Sequence, residues 1–342
     1  MSNLLVRVDS TQETGMGHFM RTLALAQKWQ KEKGDVFFLI NDNLALKERI
    51  KQEKMNFFIN PSKTGSMDDC NNLIKIAKEN KISWIVVDGY NFNENYFDLL
   101  RNNDLKFLLF DDDARLNHYN ADIVLNQNLH GKKEWYEDKK EEYTNCLIGT
   151  NYVLLRNEFL KYIDYKKEIK DKVINVLITL GGSDSNNYSL EILKVINKLN
   201  NENLKITVVI GANNPHEEIL KNFVKKNNSN VQILKNISNM PNVMEKTDLA
   251  FSSGGSTIWE LAFMGVPTIV GSTVPVEEIL LNGLNENNLF KTIGNLENLD
   301  KGNLYNIFKD LMYNKEKCEK MSRDAQKFID GYGSQRIINF ME

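Results

Sequence analysis

Two glycine-bearing loops, each feeding a helix, hold the residues of this 342-residue sequence best suited to chemistry. The first is Ser10-Thr11-Gln12-Glu13-Thr14-Gly15-Met16-Gly17-His18, entered from the apolar run Leu4, Leu5, Val6 and Val8. An amphipathic stretch with Leu23, Leu25, Ala26 and Trp29 follows it. The order predicts a strand, a loop, then a histidine at a helix start. In an open α/β sheet the end of the first strand is where ligands bind. Gly15 and Gly17 let the backbone approach a substrate closely, and the helix N-terminus offers unpaired amides and a positive dipole end. A histidine there can exchange protons with a bound anion. The plainer reading of the same residues is a tight turn with His18 capping the helix.

The second loop is Ser253-Gly254-Gly255-Ser256-Thr257, entered from Leu249-Ala250-Phe251-Ser252 and followed by a predicted helix through Ile258-Trp259-Glu260-Leu261. A companion strand over 173–179 runs into Leu180-Gly181-Gly182-Ser183-Asp184. Glycines, hydroxyls and a helix start together suit a diphosphate: amides donate, Ser256 and Thr257 add hydroxyls, and the dipole favours the anion. Glu260, one turn in, could accept from ribose hydroxyls. Equally, Ser256 could cap the helix and Glu260 complement its dipole. No Gly-Lys-Ser/Thr and no Gly-x-Gly-x-x-Gly after the first strand occurs, so kinase and dehydrogenase readings lose support.

Asp88 and Tyr90 end another predicted strand and suit sugar contacts, or ordinary strand-end capping. The run Asp111-Asp112-Asp113 could hold Mg²⁺ against a diphosphate, but it ends a strand in the half away from the diphosphate loop. A capping turn or substrate contact is favoured there over a metal site. His118, His130 and His216 lack metal-ligand spacing.

These residues need a scaffold. Short apolar strands over 4–8, 36–40, 84–88, 107–110 and 122–125 alternate with helical patterns over 20–31, 43–54, 68–80 and 95–102. A second series places strands at 174–179, 206–210, 231–234, 249–252 and 268–270, and helices at 187–199, 215–227, 241–246 and 256–264. Such alternation implies parallel sheets covered by helices on both faces. The charged segment 157–172 reads as an interdomain connection, partly packed through Phe159, Leu160, Tyr162 and Ile163. The last stretch, 303–342, reads as two helices interrupted at Gly331-Tyr332-Gly333. The expected domains are 1–157, 173–320 and a terminal helix over 321–342 that packs back on the first. That length suits two domains of roughly 150 to 170 residues each.

Composition narrows the class. Hydrophobic residues make up 42% and charged residues 26%, within the globular range, and a net charge of −3 argues against nucleic acid as a partner. Three scattered cysteines form no Cys-x-x-Cys pair, which fits reduced thiols and a cytoplasmic setting. Neither a signal peptide nor a transmembrane segment is expected.

Taken in order, Arg7-Val8-Asp9-Ser10, Gly15-Met16-Gly17-His18-Phe19-Met20-Arg21, Val87-Asp88-Gly89-Tyr90 and Phe110-Asp111-Asp112 form the first half of a longer set. It continues with Leu125-Asn126-Gln127-Asn128, Leu154-Leu155-Arg156-Asn157-Glu158-Phe159, Gly181-Gly182-Ser183-Asp184, Gly255-Ser256-Thr257, Trp259-Glu260-Leu261, and Ile329-Asp330-Gly331-Tyr332-Gly333 with Arg336. In this the chain resembles the two-domain nucleotide-sugar enzymes of the GT-B architecture, and more closely the UDP-sugar hydrolases of the pseudaminic-acid pathway. Those enzymes remove UDP from 2,4-diacetamido-2,4,6-trideoxy-β-L-altrose. One position departs: many of them carry Asp-His-Tyr where this chain has Asp88-Gly89-Tyr90.

The resemblance implies an α/β, GT-B-like fold, with two Rossmann-like domains whose parallel sheets face a central cleft. It implies His18 as general base, taking the proton of a water that attacks the anomeric carbon with inversion. The implied substrate contacts are Arg7, Asp9, Gly15, Gly17, Arg21, Asp88, Tyr90 and Asn126. Arg7 and Arg21 could instead pair with Asp9 or Glu13 on the surface. The implied nucleotide contacts are Gly181, Gly182, Ser253, Gly255, Ser256, Thr257 and Glu260. The expected partner is a UDP-sugar, with no metal and no cofactor. A glycosyltransferase using an acceptor hydroxyl in place of water is the alternative, and a nucleotide-sugar binding protein without catalysis is the third reading.

Overall fold

The computed structural model describes residues 2–9, 16–182, 184–212, 214–227 and 230–342. These fall into two compact units, one built from the chain up to Asn157 together with Gly331–Glu342, the other from Glu158–Asp330.

The first unit contains β1 (Asn3–Val8), β2 (Val36–Ile40), β3 (Asn56–Ile59), β4 (Ile82–Asp88), β5 (Phe107–Phe110), β6 (Ile123–Asn126) and β7 (Asn145–Ile148). They form one sheet in the order β3-β2-β1-β4-β5-β6-β7, every neighbour parallel. Its central strands are nearly continuous apolar runs because helices cover both faces. Helix Gly17–Glu32 buries Phe19, Leu23 and Trp29 in the cluster that holds Val6, Phe38 and Val86. Helices Met67–Glu79 and Glu94–Arg101 bury Cys70, Leu73, Tyr96 and Leu100 against Leu5, Ile85 and Val87 on the other face. The terminal helix Gly333–Phe340 adds Ile337 and Ile338 to the first cluster. It sits so close that a Cβ on Gly333 would stand 2.1 Å from the Val153 carbonyl oxygen.

The second unit repeats the plan with β8 (Asn175–Thr179), β9 (Lys205–Ile210), β10 (Val231–Lys235), β11 (Leu249–Ser253), β12 (Thr268–Ser272) and β13 (Lys291–Asn295). The order is β10-β9-β8-β11-β12-β13, again all parallel. In both sheets the strand order reverses about the first strand, between β1 and β4 and between β8 and β11. Beyond the C-terminal ends at such a reversal the two flanking loops diverge and leave a crevice. Val8 pairs with Asp88 at one reversal and Thr179 with Ser252 at the other.

Several elements depart from the sequence reading. Strands β3, β7 and β13 and the helix Pro275–Glu286 were not expected. Strands β3, β7 and β13 are sheet edges of four or five residues, and β3 and β13 lie partly or fully open to solvent, so they lack the unbroken apolar run of a central strand. The final stretch holds three helices, not two. Asn314 ends Lys301–Tyr313 and starts Lys315–Phe328, its side chain accepting from the Lys317 amide. Helix Lys315–Phe328 lies wholly in the second unit, so residues 321–330 are not part of a terminal helix on the first. Segment 158–172 is fastened to the second unit: Lys170 pairs with Asp248 at 2.8 Å and Tyr162 donates to Asn242 at 2.9 Å.

Candidate active site

At the β1/β4 reversal of the first unit, four strand ends bring together an ionic cluster. His18 lies in the first turn of its helix and Arg21 one turn further on, where i and i+3 share a face. Asp88 is the last residue of β4. Asp112 follows β5 and Asn128 follows β6. His18 Nδ1 stands 2.6 Å from Asp88 Oδ1. The Arg21 guanidinium lies between two carboxylates, with Nε and Nη2 on Asp88 at 2.6 and 2.7 Å, and Nη1 and Nη2 on Asp112 at 2.8 and 2.9 Å. Phe110 lies under it, 4.8 Å from its ring centre. Asp112 also accepts from Tyr90 OH at 3.0 Å and from Asn128 Nδ2 at 2.7 Å. The Tyr90 ring stands edge-on to His18, 5.0 Å between centroids, and is 44% exposed, so it forms the open side of the cluster.

Burial by itself would raise both carboxyls, but the Arg21 charge, with its hydrogen bonds and the nearby His18, holds Asp88 and Asp112 below the ordinary carboxylate value. Burial and Asp112 push the Tyr90 phenol up, so it stays a neutral donor. The cluster thus carries two carboxylates against one guanidinium.

The other residues expected to bind substrate are placed differently. Arg7 is fully buried and spent on Asp69 (Nε and Nη2, both 2.9 Å), the Leu39 carbonyl (3.2 Å) and Asp9 (2.7 Å). Its side chain serves the scaffold, and its pair with Asp9, the alternative to a substrate contact, is internal and not on the surface. Asp9 also holds the Asn41 amide at 2.7 Å and the Thr64 hydroxyl at 2.6 Å, tying the end of β1 to its neighbours. Arg21 pairs with Asp88 and Asp112, which leaves its charge cancelled and not offered to an anion. Asn126 is fully buried; it accepts from the Asn128 amide at 3.0 Å and donates to Tyr136 OH at 3.0 Å, and so shapes the loop that carries Asn128. Gly17 opens the helix. Gly15 and Glu13 lie outside the described residues.

The aspartate run divides its work. Asp111 accepts from the amides of Asp113 and Ala114 at 2.9 and 2.8 Å and from Tyr119 OH, and so folds its own turn. Asp113 faces solvent. Only Asp112 joins the cluster. Among the described residues no group of three or more His, Cys, Asp or Glu side chains is disposed to hold a metal.

At the β8/β11 reversal of the second unit, the two glycine loops meet on Ser253. Its Oγ lies 4.0 Å from where a Cβ of Gly181 would be and 3.8 Å from that of Gly255. Gly181 adopts φ +81°, a left-handed conformation that favours glycine. Gly182 lies against Gly211, whose Cβ would stand 2.1 Å from the Gly182 carbonyl oxygen. Thr257 opens the helix Thr257–Phe263, Glu260 falls in its first turn, and Ser256 makes no side-chain cap bond. The capping role considered for Ser256 is therefore absent. A residue that sequence reasoning missed, Glu277, accepts from the Thr273 amide at 2.7 Å and hydroxyl at 3.0 Å, and its stem passes 2.8 Å from a Cβ built on Gly254. Burial raises its carboxyl against the hydrogen bonds of Thr273 and Gly254. The signal for it was a Thr-to-Glu spacing of four across a Pro275 helix start.

Residues 175–333 match the glycosyltransferase family 28 C-terminal domain. Over its whole length the chain superposes on the spinosyn rhamnosyltransferase SpnG complexed with thymidine diphosphate, with a TM-score of 0.72, 11% identity and 100% of both chains covered. It is 31% identical to the UDP-2,4-diacetamido-2,4,6-trideoxy-beta-L-altropyranose hydrolase of Campylobacter jejuni, over 57% of this chain and 66% of that one. The chain has the GT-B fold. It is likewise 31% identical to an uncharacterized protein of Methanocaldococcus jannaschii, over 78% of this chain and 55% of the relative. The chain thus spans between about half and two thirds of the length of these two relatives. No helix among the described residues is long and apolar enough to cross a membrane.

Proposed function

We propose that this protein hydrolyses a UDP-linked 2,4-diacetamido-2,4,6-trideoxy sugar to UDP and free sugar with inversion, as a step toward a nonulosonate such as pseudaminic acid. The observation that carries the reading is the 2.6 Å contact between His18 Nδ1 and Asp88 Oδ1 at the first unit's strand reversal. An aspartate on Nδ1 orients the ring and leaves the Nε2 lone pair to act as base, the division of labour seen wherever a carboxylate steers a catalytic histidine.

In this reaction a water oxygen bonds to the anomeric carbon from the side opposite UDP, and its proton passes to His18 Nε2. The glycosidic C–O bond breaks and its electron pair leaves with the diphosphate. Amides at Gly181, Gly182, Ser253 and Gly255, with Ser256 and Thr257, receive that developing charge. Preorganised donors of this kind are commonly worth about 3 to 4 kcal/mol each. Glu260 accepts from ribose hydroxyls, and Tyr90 and Gly17 bound the sugar. The related hydrolase of C. jejuni supports water as the nucleophile.

A second reading rests on the glycosyltransferase domain matched by residues 175–333: an acceptor hydroxyl takes the place of water. One experiment separates the two. The UDP-linked diacetamido-trideoxy-altrose is incubated with the full chain, without acceptor and with EDTA, and followed by proton and phosphorus NMR beside a His18→Ala control. Release of UDP and inverted free sugar, lost in the control, is the expected result. An intact substrate rejects hydrolysis and moves the transferase reading forward.

A further inference from the structure

A histidine can serve as base through Nε2 only if its other nitrogen carries the proton. In the first unit two groups compete for His18 Nδ1. Asp88 Oδ1, at 2.6 Å, is an acceptor and requires Nδ1–H. Arg21 Nη2, at 3.1 Å, is a donor and would take the Nδ1 lone pair, which forces the proton onto Nε2 and silences the base. The outcome turns on where the two hydrogens of Nη2 go.

Three acceptors lie within reach of those two hydrogens: Asp88 Oδ1 at 2.7 Å, Asp112 Oδ2 at 2.9 Å and His18 Nδ1 at 3.1 Å. The carboxylates are charged, nearer and aligned as bidentate pairs along two edges of the guanidinium, so they take both. Nothing is left for Nδ1, which must then donate to Asp88. Remove the acceptor at Asp112 Oδ2 and one Nη2 hydrogen is released. The far edge of the guanidinium is also unclamped, free to turn toward the imidazole.

We propose that Asp112 is the positioning residue that sets the His18 tautomer, by occupying the Arg21 hydrogen that would otherwise go to Nδ1. Its own place is secured from outside the pair: Asn128 holds Oδ1 at 2.7 Å and Tyr90 OH holds Oδ2 at 3.0 Å. Asp112 acts on the His18 tautomer through Arg21.

The test is long-range proton–nitrogen NMR of the full chain with ¹⁵N-histidine, at about pH 8.5 where an imidazole is neutral. The His18 signals are assigned by their loss in His18→Gln. The wild type is expected to show Nδ1–H with an unprotonated Nε2. Asp112→Asn turns an NH₂ toward Nη2 and is expected to move the ring mainly to Nε2–H, whereas Tyr90→Phe, which leaves both carboxylate oxygens for Arg21, keeps the wild-type pattern. If Asp112→Asn does not fold, Asp112→Ser vacates Oδ2 with a small polar side chain and is expected to shift the ring the same way. An Nε2–H ring in the wild type, an unchanged ring in the folded Asp112 variant, or the same shift in Tyr90→Phe overturns the assignment. A kinetic arm rests on the hydrolase reading above: kcat of Asp112→Asn falls by at least about tenfold with KM within about twofold. A tautomer shift in a chain that releases no UDP would uphold the role of Asp112 and remove hydrolysis instead.

Discussion

Arg21 sits where a substrate-binding cation would be expected, yet the two carboxylates around it cancel its charge, and its task is internal. That leaves His18 as the group of the first cluster suited to proton transfer. Replacing it by alanine is expected to lower UDP release by about 10²- to 10⁴-fold, the usual worth of a general base, with the thermal unfolding profile little changed. The carboxylates predict an acid response with a definite sign. Despite burial, which works the other way, the Arg21 charge holds Asp88 and Asp112 below the ordinary value, so their stabilising contribution is complete above the unfolded-state value near about pH 4. It is lost as pH falls through the lower folded-state values. Urea unfolding of the wild type is expected to show a steep loss of stability below about pH 4. Asp112→Asn should be less stable than wild type at pH 7 and shallower in its acid slope. Equal slopes would show that Asp112 is not held in its charged form by Arg21.

The elements that position these groups are loops at strand ends, and their shape depends on close approaches that glycine permits. Gly254 lies under Glu277, which also ties the start of helix Pro275–Glu286 back to Thr273. A methyl group there must displace the Glu277 stem or the loop. Gly254→Ala is expected to weaken UDP binding in titration calorimetry by roughly tenfold and to cost about 1 to 3 kcal/mol of stability, the range for overpacking a tight site. Unchanged UDP affinity would show that the Ser253–Thr257 loop does not hold the nucleotide. The same scale explains which elements were legible. Strands β1, β4, β8 and β11 are buried apolar runs and announce themselves, whereas β3 and β13 are short edges whose side chains divide between core and water. Asn314 was missed because an asparagine between two helical patterns is a break only when its side chain caps the next helix.

The whole chain returns to its first unit at the end. After Asp330 the residues Gly331–Glu342 rejoin the first unit, where Ile337, Ile338 and Met341 are buried in the cluster that also contains Phe19, Leu23 and Trp29 of the His18 helix. Each such side chain is worth about 1.5 to 3 kcal/mol when fully buried. A chain stopped after Asp330 is therefore expected to lose several kcal/mol from the first unit alone. Hydrogen exchange should show faster amides in β1 and in helix Gly17–Glu32, with β8 and β11 unchanged. Equal protection in both units would show that the terminal helix adds no stability.

The order of apolar runs and glycine loops along the chain was enough to imply parallel α/β sheets, because burial on both faces writes a local, continuous signal into each central strand; the GT-B architecture was implied by the resemblance of the ordered motifs. The same order also singled out His18, since a histidine between a glycine loop and a helix is a local pattern. Which charges pair was decided only by the tertiary structure. Arg7, in β1, and Arg21, in the helix that follows, were both expected to contact the substrate. One is buried against Asp69, 62 residues away, and the other against Asp88 and Asp112, 67 and 91 residues away. Coulomb energy depends on distance in space and on burial, and neither is set by separation along the chain.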